Sequence, residues 1–343
     1  MSSGEKKFIS FSAFFLAFAI NTCYNKRMTE KNEKQNSLLA YIIGERTQEK
    51  ASGLAFSAAT ALPDVLSLLF VLVGSVFGLF YEGHERADWY LYVNYLLSQC
   101  SFAAVAVIYF LTAKRSVKTV VGKPKLYYFA VALILQYGLF SLGGVNEWFL
   151  GVLEGWGLTV PTPQVPSLEG WGVLGVIIVV AVLPAVFEET LFRGVVLKGL
   201  QSFPAWAAAL VCGALFSLFH QSPAQTLYHF LCGVAFALVA IRSGSILPTV
   251  LAHFCNNTVI ILAEKFGWDM GVLPVTITSA ICLVAAVAFL VFDTVKAERK
   301  RATEVAKAAP DKANTKVSRK QFFLCALFGI VVCALGWIFR LVA

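Results

Sequence analysis

The chain has 343 residues, 58% of them hydrophobic and only 14% charged, with a mean hydropathy of +0.72. A soluble domain carries about 25% charged residues, so the apolar surplus must face lipid and a soluble globular protein is excluded. The formal net charge of +8 does not indicate nucleic acid, because the basic residues gather in loops between apolar runs, where they orient a membrane protein.

The apolar runs are continuous rather than alternating with period two, which predicts helices and not a barrel. The expected fold is an all-α polytopic bundle of eight or nine transmembrane helices. Residues 1–52 hold a short apolar run, 8–20, and a polar, mixed-charge segment. The run is too short for an ordinary span of about 20 residues and no small-x-small cleavage site follows it, so an interfacial or re-entrant helix is expected, with a true span as the second choice. N-terminal spans fill 53–170, near 64–81, 89–112 and 127–148, with Asp64 after Pro63 read as a helix start. A second group, 171–293, has spans near 171–190, 205–220, 224–241, 246–263 and 271–293. A basic, Ala/Lys-rich run at 294–320 reads as a flexible cytosolic linker, which makes the last span, within 321–343, peripheral. Lys114, Arg115, Lys118, Lys123 and Lys125 in one loop, and Arg299, Lys300 and Arg301 in another, put those loops in the cytoplasm by the positive-inside rule. The eight cysteines have no paired spacing and read as small hydrophobes.

Against this background Glu188, Glu189 and Arg193 stand out in an otherwise apolar run. Ionised groups at membrane depth are costly and usually mark function. Glu189 and Arg193 are spaced i, i+4, so they can pair on one helix face, leaving Glu188 directed elsewhere and free for chemistry. The next span ends in Phe216-Ser-Leu-Phe-His220, and a later one carries His253 and Asn257, again at i, i+4. Counting residues from the turns near Ser202 and Gly244 at 1.5 Å each puts Glu188, His220 and Asn257 at depths of about 21, 27 and 20 Å. Separate helices thus bring a carboxylate, two imidazoles and an amide to a similar level. A carboxylate beside a histidine can deprotonate water, and a His with an Asn can donate to an oxyanion. Alternatively, Glu188, His220 and His253 form a two-His, one-Glu zinc set. The residues do not choose between a zinc and a metal-free mechanism, although the absence of HExxH rules out the common metalloprotease helix. Gln225 and His229 read as helix–helix hydrogen bonding, and His84 as a solvated loop residue.

Glu188-Glu189-xxx-Arg193, Phe216-xxx-His220 and His253-xxx-Asn257, in that order, resemble the CPBP family of intramembrane proteases, also called Abi or type II CAAX prenyl endopeptidases. The resemblance covers about residues 170–265. It implies peptide-bond hydrolysis at a membrane-embedded site, with Glu188 activating water together with His220, His253 and Asn257 stabilising the oxyanion, and Glu189, Arg193 and Phe216 in support. The substrate it implies is a membrane-associated or prenylated peptide, and the setting a bacterial cell membrane. A CAAX substrate would arrive from the cytosol, whereas the topology puts His220 toward the outer side. Two readings compete with it. One is a non-enzymatic immunity or partner-binding protein. The other is a proton-relay transporter, disfavoured by short loops and the lack of a repeat.

Overall fold

The computed structural model describes residues 47–342 except 114–115, 159, 162 and 309–311. The apolar run 8–20 and the polar segment up to residue 46 lie outside the described residues. Among the described residues there are helices and turns and no strand. The helices are α1 Gln48–Val76, α2 Asp88–Thr112, α3 Tyr127–Leu139, α4 Gly143–Gly155, α5 Gly172–Gly199, α6 Ala205–Phe219, α7 Leu227–Ser243, α8 Leu247–Phe266, α9 Leu273–Ala308 and α10 Lys312–Val342. Among the described residues seven helical runs are long and apolar enough to cross a membrane, counting α3 and α4 as one run, Tyr127–Gly155. The helix α6 is apolar but shorter, and α8 carries His253, Asn256 and Asn257 along its length. Lipid is the natural neighbour for the outward apolar side chains, among them Leu69, Leu111, Ile281, Val284 and Phe292. The chain is a polytopic, all-α integral membrane protein.

Helix ends follow local chemistry. Thr47 caps α1, its Oγ1 accepting from Lys50 N at 3.4 Å. Gly244 ends α7 at φ 68, a left-handed conformation that glycine adopts without steric cost. Gly213 and Gly233 let α6 and α7 cross closely, since a Cβ on Gly233 would sit 2.7 Å from Gly213 Cα.

Three expectations change here. Asp64 does not start a helix: α1 begins at Gln48 and carries Pro63 in its interior. Neighbouring helices and local adjustments can absorb the freed carbonyl of a membrane proline. The 294–320 run is helical on both sides of 309–311, because α9 continues to Ala308 and α10 begins at Lys312. Its Ala, Lys, Arg and Glu residues are strong helix formers, and both flanks are already helical. Nor is the last helix peripheral. Phe322 and Ala326 are fully buried in the main core with Phe56, Leu191 and Phe192. Ser57 Oγ donates to Cys325 O at 2.7 Å and accepts from Gly329 N at 3.1 Å, so α1 and α10 meet through small residues, the usual close-packing device of membrane helices.

Alternating helices sort the loops by charge. At one end the turn after α7 meets the basic loop after α2, with Ile246 N donating to Val120 O at 3.2 Å. At that end, too, Arg319 of α10 donates to Ser202 O at 2.7 Å in the turn after α5. At the other end Ser167 N donates to Asp88 at 2.8 Å, and Asn146 donates to Ala224 O at 3.0 Å in the turn after α6. His84 lies at this second end, stacked on Phe80 at 4.4 Å between ring centres. It is packed rather than freely solvated.

Candidate active site

The helix α5 changes its winding around the acidic motif. Residues Ile177–Val182 and Thr190–Val196 form π-helical turns, and the α-helical stretch Leu183–Glu189 lies between them. Such wide turns are rare and concentrate at functional sites. The expected i, i+4 pair is present: Arg193 Nη1 donates to Glu189 Oε1 at 2.7 Å.

That pair is deeply buried, with Glu189 at 0% and Arg193 at 2% exposure. Desolvating both charges costs several kcal/mol each unless further partners compensate, and several are in place here, although Arg193 Nε has no hydrogen-bond partner. Arg193 Nη2 donates to Gly233 O at 3.3 Å. Its guanidinium lies 4.5 Å from the Phe216 ring centre and 5.5 Å from that of Phe236, within the range of cation–π attraction. On the other side His253 Nδ1 stands 3.0 Å from Glu189 Oε1. Glu189 therefore joins α5 to α8, and Arg193 joins α5 to α6 and α7. The aromatic at 216 has a physical reason: one of its faces receives Arg193, and its ring lies 4.8 Å from that of His220.

Glu188, next along the helix, points away from this pair. Its Oε2 lies 4.0 Å from His220 Nε2. That is too long for a direct hydrogen bond and leaves room for one water touching both. His220 Nδ1 is 2.8 Å from Phe216 O. A carbonyl can only accept, so Nδ1 carries a proton, and in the neutral tautomer Nε2 keeps its lone pair toward Glu188. The same logic at His253 gives Nδ1–H to the Glu189 carboxylate and a lone pair at Nε2.

His220 begins a turn in which Gln221 has φ 50, unusual for a non-glycine residue. The far helix α10 grips this turn, with Trp337 Nε1 donating to Thr226 Oγ1 at 2.8 Å and Arg340 Nη1 to His220 O at 3.3 Å. Sequence reasoning missed both contacts. His229 also departs from expectation. Gln225 belongs to a separate single turn before α7, and it meets His229 through its backbone rather than its side chain. Instead the His229 ring lies 4.3 Å from that of His220.

Asn257 is held at both ends of its amide. Nδ2 donates to Val180 O at 2.7 Å, and Oδ1 accepts from Asn256 Nδ2 at 2.8 Å. Val180 lies in the first π-helical turn of α5, two turns before Glu188. Helical side chains lean toward the N-terminus, so Glu188 leans toward the end of α5 that Asn257 contacts.

A zinc ion held by Glu188, His220 and His253 would need both imidazoles to bind through Nε2. The two Nε2 lone pairs are suitable donors, each with its Nδ1–H held by an outer partner. Yet no three His, Cys, Asp or Glu side chains among the described residues come together as a group able to hold a metal.

Residues 170–259 match the family model described as Rce1-like, type II CAAX prenyl endopeptidase Rce1-like. This segment is similar to that family. No curated protein and no solved structure matches the chain. The Rce1-like segment contains Glu188, Glu189, Arg193, Phe216, His220, His253 and Asn257. It leaves out α1 to α4, α9 and α10, and with them Trp337 and Arg340.

Proposed function

We propose that the protein is an intramembrane endopeptidase that hydrolyses a peptide bond in a membrane-associated or prenylated substrate. The observation that carries this reading is the 4.0 Å gap between Glu188 Oε2 and His220 Nε2. A water in that gap donates one hydrogen bond to each and keeps an oxygen lone pair free. Glu188 takes one proton as the oxygen bonds to the scissile carbonyl carbon, and that proton goes on to the leaving amine as the C–N bond breaks. The oxyanion formed meanwhile receives hydrogen bonds from the site. Asn257 keeps a second Nδ2–H in every protonation state, whereas His253 can donate from Nε2 only as the imidazolium. Glu189 and Arg193 hold the assembly and exchange no proton with substrate. No step passes through a metal.

Basic loops at one end of the bundle favour a cytoplasmic location for that end. The turn that follows His220 lies at the opposite end, so substrate enters from that side or laterally from the bilayer. The test is digestion of a quenched farnesylated CAAX peptide by the liposome-reconstituted protein in H₂¹⁸O. Hydrolysis puts one ¹⁸O into the new C-terminal carboxylate, with or without a chelator. An intact peptide, or activity lost to chelation and restored by zinc, overturns the reading.

A further inference from the structure

The amide at 257 does not choose its own orientation. Val180 O is a backbone carbonyl and can only accept, so Asn257 must turn Nδ2 toward it. Its Oδ1 then faces Asn256, which must donate, at 2.8 Å. That leaves Asn256 Oδ1 pointing the other way, and it finds two donors. Gln136 Nε2 lies at 2.6 Å and the Tyr228 hydroxyl at 3.0 Å. Gln136 Nε2 also reaches Tyr228 OH at 3.3 Å, and Gln136 is buried in α3 at 2% exposure. The bonded groups of the chain Gln136/Tyr228–Asn256–Asn257–Val180 have one consistent donor and acceptor assignment, and only Gln136 Oε1 among its amide oxygens lacks a partner. Turning any one amide over would set acceptor against acceptor. In a low-dielectric interior such networks are costly to satisfy by half.

We infer that Gln136, Tyr228 and Asn256 are positioning residues that fix the amide face of Asn257, so that its second N–H points into the site. This rests on the peptidase reading, in which Asn257 donates to the oxyanion. Neither the HxxxN spacing nor the family match points to Asn256, and Gln136 lies outside the matched segment 170–259 altogether. The helix α3 thereby contributes to a site whose motifs are all carried by α5, α6 and α8.

The test is a double-mutant cycle on cleavage of the farnesylated CAAX peptide by the reconstituted full-length chain. Asn257→Ala removes the donor and should lower kcat about 100-fold, with KM nearly unchanged. Asn256→Asp offers only acceptor oxygens to Asn257 Oδ1 and should turn the amide over, with a similar kcat loss. Asn256→Leu, which adds no charge, should show a smaller loss of the same kind. In the Asn257→Ala background neither change should lower kcat further, because their effect runs through that amide. Tyr228→Phe should cost about fivefold in kcat and likewise vanish in that background. Thermal unfolding of each variant separates misfolding from misorientation. If Asn257→Ala lowers kcat and the Asn256 variants do not, or if their effects persist in the Asn257→Ala background, the positioning proposal fails. If Asn257→Ala itself leaves kcat intact, or the wild type leaves the peptide uncut, the underlying reading fails and takes the proposal with it.

Discussion

The Rce1-like segment and the helices around it divide the work differently. Residues 170–259 carry every ionisable or amide side chain assigned to the reaction. The flanking helices carry none of these, yet they hold them in place. Gln136 of α3 sets Asn256, while Trp337 and Arg340 of α10 grip the turn after His220. Chemistry-bearing residues are thus concentrated in one quarter of the sequence, and their orientation is spread over most of it. A site can therefore keep every motif residue and still fail through a change in a helix that bears no motif.

Substitutions can break or sharpen this contrast. The largest structural effect is expected within the segment itself. Arg193→Ala leaves Glu189 buried without its cation, and removing one partner of a buried pair costs about 3–5 kcal/mol. Thermal unfolding in detergent should show the loss even when no substrate is present. The next effect belongs to the flank. A Cβ on Gly329 would stand 2.8 Å from Ser57 Cα and 2.8 Å from Thr60 Oγ1, so Gly329→Val forces α10 off α1 at a cost of about 1–3 kcal/mol. Activity should fall together with stability. The smallest effect is the most selective. Trp337→Phe keeps the ring packing and removes the bond to Thr226, worth about 1 kcal/mol. Its kcat should fall severalfold with little change in unfolding temperature. If kcat is unchanged in Trp337→Phe, α10 is only a packing partner and the contrast between the regions is sharper than drawn here.

What the sequence revealed follows the range of the interactions. The pairing of Glu189 with Arg193 was legible because it is local: residues at i, i+4 meet on any helix. The separate direction of Glu188 follows from the same geometry. The approach of Glu188 to His220 was legible as similar depth below a turn. Contacts between distant helices were not. Nothing local ties Trp337 to Thr226, or Ser57 to Cys325, and composition alone made the 294–320 run look like a flexible linker. The spacing of Gln225 and His229 suggests one helix in the sequence, whereas α7 starts only at Leu227. Gln136 could have been found. It is a buried polar residue in an apolar run, and the argument that singled out Glu188 applies to it equally.

The account depends most on Glu188. Glu188→Gln keeps the shape of the side chain and its place beside His220 but removes the base. With the protein reconstituted and its unfolding temperature unchanged, cleavage of the farnesylated peptide should fall about 10²–10⁴-fold. Cleavage at the wild-type rate by this folded variant would contradict the assignment of Glu188 as the group that activates water.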